Sequence, residues 1–154
     1  MFLRTIKICV LLFLGYASVA GADAASPRIK KVLPQFFDAQ GRNSLSPSLY
    51  ERDAYQAYLR AHPEERKGIR FTVLWRGASA GKQLRLRVEM RGVREDAIHL
   101  ETLETAVEKT GWFSTWSTLV LGDEAYKNFG DLAAWRVTLW DGDKQISEQK
   151  SFLW

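Results

Sequence analysis

Apolar and polar residues alternate with a period of two from Gly68 onward, and that alternation constrains the fold more than any other feature of the chain. In Ile69-Arg70-Phe71-Thr72-Val73-Leu74-Trp75 the odd positions are apolar, and in Leu84-Arg85-Leu86-Arg87-Val88-Glu89-Met90-Arg91 the even ones are. A strand sends successive side chains to opposite faces, so each run predicts a half-buried strand. The connection Arg76 to Lys82, with Gly77 and Gly81, suits a loose antiparallel hairpin between them. Further runs lie at Ile98 to Val107, Trp116 to Leu121 and Ala133 to Leu139, with a corner from Gly122 to Gly130 containing one helical turn. Asp141-Gly142-Asp143 then predicts a tight hairpin between Trp135–Trp140 and a last strand from Lys144 to Trp154, since glycine accepts the positive φ of such turns.

Before the alternation begins, Arg28 to Asp38 reads as a first strand in which Pro34 argues for an edge or a bulge. The segment Ser46 to Arg60 reads as a helix, with Ser48 and Glu51 spaced as a capping box and His62-Pro63 as its stop. The expected fold is therefore all-β: an immunoglobulin-like sandwich of about seven antiparallel strands, with one short helix between the first two. Residues 28–154 form one domain on this reading, a length sufficient for a single core.

The N-terminus has the order of a secretory signal. Arg4 and Lys7 precede an apolar run from Ile8 to Tyr16, and small residues follow from Ala17 to Ala24. The run is too short to span a bilayer, so residues 1–22 are expected to be cleaved, within about three residues, and the protein to be exported to the periplasm or the medium. The only cysteine, Cys9, leaves with the signal, which removes disulfides, thiol nucleophiles and thiolate metal sites from the mature chain. Cleavage also takes 22 basic residues to 20 against 18 acidic ones, so a net charge of +4 becomes about +2. Nucleic acid is not the expected partner of so balanced a chain.

Strand order and spacing from Ile69 to Leu153 resemble those of fibronectin type III-like and immunoglobulin-like sandwiches, without the Cys-Trp-Cys pattern of true immunoglobulin domains. The stretches Ser46 to Gln56 and Trp135 to Trp154 look like those of uncharacterised exported bacterial proteins, a group that implies a fold and a compartment but no activity.

No constellation in the sequence specifies a reaction. His62 and His99 have no partner at ligand spacing, and with no cysteine left no metal or cofactor is expected. Asp53, Asp96, Glu101, Glu104, Asp141 and Asp143 include no distinguishable catalytic pair. Gly77-Ala78-Ser79-Ala80-Gly81 lacks the triad partners that a nucleophile would need. The expectation is a non-catalytic binding or structural module. The alternative is an accessory module for cell-envelope carbohydrate or protein, with Trp112 and Trp116 in the aromatic segment Gly111 to Trp116 and Arg85, Arg87 and Arg91 on an outward strand face as its binding residues.

Overall fold

The computed structural model describes residues 27–77, 83–108 and 113–154; the expected signal peptide, Cys9 and Trp112 lie outside them. In chain order the elements are β1 (Arg28–Phe37), α1 (Leu49–Ala61), a 3-10 turn (Pro63–Glu65), β2 (Gly68–Arg76), β3 (Gln83–Arg94), β4 (Ala97–Glu108), β5 (Thr115–Gly122), α2 (Asp123–Phe129), β6 (Asp131–Asp141) and β7 (Lys144–Lys150). The chain is all-β in class. A three-stranded sheet in the order β1-β2-β5 faces a four-stranded sheet in the order β4-β3-β6-β7, and every pairing is antiparallel.

Alternation decides what each sheet buries. Ile69, Phe71, Val73 and Trp75 of β2 meet Leu84, Leu86, Val88 and Met90 of β3, with Leu119, Leu121, Val137 and Leu139 beside them, all buried in one cluster. The buried Trp75 indole donates to Ser117 Oγ at 2.9 Å, which satisfies its only polar group. At one end of the sandwich α2 inserts Phe129, only 1% exposed, against the bulge between Arg91 and Gly92.

Several expectations need correction. β2 and β3 are not a hairpin: each pairs with other strands, so the segment after Arg76 crosses from one sheet to the other. Both runs bury an apolar face, and facing sheets satisfy that need as well as neighbouring strands do. The hairpins are β3–β4 and β6–β7. The first turns on Glu95 and Asp96, both at positive φ (50° and 60°), the two-residue geometry usually given to asparagine and glycine. The second turns on Gly142 at φ 57°.

The pairing of Gly92 with His99 and of Arg91 with Leu100 also fixes which side of β4 faces the core. His99 points to the core side and is half-buried, whereas Ile98 and Leu100 stand exposed on the outer face. The last strand stops at Lys150. Phe152 is fully exposed, covering no core edge, and Trp154 folds over the outer face of the four-stranded sheet.

Ser48 stands at the N-cap of α1 with extended backbone, but its hydroxyl makes no capping bond there and the capping box does not form. Gln56 ties α1 to the first strand. Its side-chain amide accepts from the Phe36 N–H and donates to the Phe36 carbonyl, each at 2.8 Å, and donates again to the Asn43 carbonyl. An edge strand exposes unpaired backbone groups, and Gln56 closes those of β1 at Phe36 as a neighbouring strand would.

A Cβ on Gly92 would lie 2.3 Å from the Phe129 carbonyl oxygen and 2.8 Å from its ring. Gly92→Ala is therefore expected to destabilise the domain by about 1–3 kcal/mol through overpacking against α2. Urea denaturation should show this as a lower midpoint with an unchanged slope.

Candidate binding surface

The expected arginines lie on the outer face of the four-stranded sheet, where they are committed to one another's neighbours. The Arg87 guanidinium donates to Glu104, with Arg85 3.9 Å from the same carboxylate, and both sit over the Trp140 ring at 5.1 and 5.8 Å. Arg136 makes a two-pronged pair with Glu89 at 2.8 and 2.9 Å, which holds its guanidinium above its usual pKa. Arg91 and Arg136 both cover Trp154, at 4.3 and 5.0 Å. Beneath this layer Thr138 is fully buried and accepts from Trp140 Nε1. Interleaved arginines, glutamates and indoles thus pave the sheet as a thin second core.

Trp116 lies on the opposite side of the molecule. It pairs with Leu74 between the inward Val73 and Trp75 positions, so it points out from the three-stranded sheet and is 49% exposed. The indole and the three arginines therefore stand on different outer faces and cannot close on one ligand. Val120, two rows further along β5 on the same face, is also exposed, and Phe113 stands exposed just before the strand.

Charge separates the two sheets. The four strands β3, β4, β6 and β7 carry seven basic residues and seven acidic ones. β1 and β2 carry Arg28, Lys30, Lys31, Arg70 and Arg76, β5 carries no charge, and the three strands contain no acid at all. Among the described residues none of these five cations is paired with a carboxylate.

Register places them. Arg28 lies directly opposite Arg76, and the next outward row is Lys31, Leu74 and Trp116. Two residues along a strand separate these rows by about 7 Å. At the other end of the same face Asn43 donates to Gln35 and Arg70 leans on Phe37, so the loop after β1 covers that end and leaves the Trp116 end open. The sequence signal for this surface was present but indirect: three strand segments without one Asp or Glu, which stand out only once they are known to share a sheet.

A cleft of about 660 Å3 is lined by Arg42, Leu45, Glu51, Ala54, Tyr55, Tyr58 and Glu65. Most of its polar groups are spent within the chain. Asp38 accepts from the Tyr55 hydroxyl at 2.6 Å, from Arg42 Nε at 2.7 Å and from the Gln40 and Arg42 N–H groups at 2.9 Å. The Tyr58 hydroxyl bonds Glu65, and its ring stacks between those of Tyr55 and His62. Such an arrangement fastens α1 and the preceding loop. No protein family, curated protein or solved structure matches the chain.

Asp38 is covered by its own loop, which alone would raise its pKa, but the bonds from Tyr55, Arg42 and Gln40 prevail and lower it from 3.8 to about 2. A carboxyl whose folded pKa is depressed stabilises the fold above its unfolded value, near pH 4, and loses that contribution as pH falls towards 2. Because the loop lies at the molecular surface, the contribution is about 1–2 kcal/mol. Asp38→Asn should lower stability at pH 7 by that order and flatten the fall between about pH 4 and pH 2, as read from denaturation midpoints across pH.

Proposed function

We propose that the chain is an exported, non-catalytic recognition module on an immunoglobulin-like sandwich of the fibronectin type III kind, and that it binds through the outer face of its three-stranded sheet. The fold assignment is supported by the strand order. In the immunoglobulin constant arrangement the fourth strand joins the first, second and fifth; here it lies beside the third, leaving β1-β2-β5 against β4-β3-β6-β7. Export is supported by the signal-type order of residues 1–22.

The observation that carries the binding reading is the segregation of charge. A soluble domain normally intersperses both signs over its surface, as the four-stranded sheet does here. No acid stands among the five cations of the three-stranded sheet, and Arg28 and Arg76, direct cross-strand neighbours one row from Lys31, repel one another. A bound anionic surface relieves that repulsion, and the half-exposed Trp116 beside it offers apolar contact.

Retention of the mature chain on an isolated cell-envelope fraction tests this. The double variant Lys31→Glu, Arg76→Glu should abolish retention, and Lys144→Glu, Lys150→Glu on the other sheet should leave it unchanged. Equal retention of both variants would remove the three-stranded face from consideration. Recovery of no chain at all, wild type included, would favour a purely structural role.

A further inference from the structure

Resting on that recognition face, we propose that its ligand is an acidic polysaccharide, bound with a sugar ring on Trp116 and its carboxylates or sulfates on Lys31, Arg28 and Arg76. Three features select this chemistry. The face is the exposed side of a sheet, with the cations in consecutive cross-strand rows spaced for an extended chain of repeated charges. Trp116 is flanked in its own row by Leu74 and then Lys31, so an apolar platform sits immediately beside a cation. The hydrophobic side of a pyranose ring needs such a platform, while its anionic substituents need a charge within a few ångströms.

The same features disfavour an anionic membrane as the occupant. Trp116, the second residue of β5, is only half exposed, its neighbours covering the rest of the ring. Insertion into a headgroup layer requires apolar groups that project beyond the surrounding surface. The four-stranded sheet is the weaker site, because Arg85, Arg87 and Arg136 already hold Glu104 and Glu89, and the remaining Arg91 is laid over Trp154.

The test uses the mature chain with three probes: polygalacturonate, neutral dextran, and vesicles of phosphatidylglycerol. Isothermal titration should show binding to polygalacturonate alone, weakening linearly in logarithm with log salt as condensed counterions are released. Lys31→Gln with Arg76→Gln should reduce that salt slope by nearly 2, and Trp116→Ala should weaken binding by up to about tenfold. Circular dichroism of each variant confirms that the fold is retained. Equal binding of dextran, or binding of vesicles in place of polygalacturonate, overturns the acidic-polysaccharide assignment. So does binding that Trp116→Ala leaves intact. If envelope retention is lost on reversing Lys31 and Arg76 while polygalacturonate does not bind, the recognition face stands and this ligand class fails; if polygalacturonate binds with no dependence on those two residues, the face itself fails.

Discussion

The guanidinium of Arg66 is the point at which the helix, the sheets and the sandwich end meet. Its side chain is 6% exposed and pairs with Asp131 at the start of β6. It donates to the carbonyls of Leu59 and Arg60 in the last turn of α1, whose terminal C=O groups have no partner within the helix. Its plane lies 4.3 Å from the Phe36 ring, and Tyr126 of α2 is close enough to feel its charge. A cation at a helix C-terminus also opposes the negative end of the helix dipole. One planar group with five donors does all this, whereas a lysine ammonium would offer neither the stacking face nor the fork. Arg66 thus grips the last turn of α1, while Gln56 joins the same helix to the edge of β1 and Tyr55 joins it to Asp38.

The two sheets share a core yet spend their outward residues in opposite ways. On the four-stranded sheet, outward arginines find glutamates across the strands and indoles above them, so charge serves cohesion. On the three-stranded sheet, Arg70 leans on Phe37, and Arg28, Lys31 and Arg76 lie beside Leu74, Trp116 and one another with no acid on the sheet. Inward alternation is equally regular in both, and the fold therefore places no demand on this difference. The difference is what the proposed recognition role of the three-stranded face rests on.

Much of the architecture was legible because period-two patterning is a local signal. The two sheets of antiparallel strands follow from alternation in segments such as Ile69–Trp75 and Leu84–Arg91, and Gly142 announced its own turn. Partner choice was not legible, because an apolar strand face is satisfied equally by a neighbouring strand or a facing sheet; the hairpin expected between β2 and β3 failed for that reason. The Glu95-Asp96 turn was hidden by the absence of glycine, and the orientation of β4 was hidden because Ile98 and Leu100 are apolar yet exposed. The expected binding residues show the same limit. Arg85, Arg87 and Arg91 are as basic in sequence as Arg28, Lys31 and Arg76, and only the structure reveals that Arg85 and Arg87 share Glu104 and that Arg91 covers Trp154. Trp112 lies outside the described residues, and Trp116 stands on the opposite face from the arginines first paired with it.

The charge asymmetry between the sheets has a consequence for motion as well as for contact. With cations gathered on one broad side and balanced charge on the other, the strands contribute an electric dipole component running from sheet to sheet. In the field of a negatively charged wall such a molecule turns before it touches, so that a flat domain arrives with the Trp116 side leading. At low ionic strength that torque acts over several nanometres; at physiological salt it survives only within about 8 Å of the wall. Orientation would then be decided in the last molecular diameter of the approach, by the body of the domain and not by any one of its side chains.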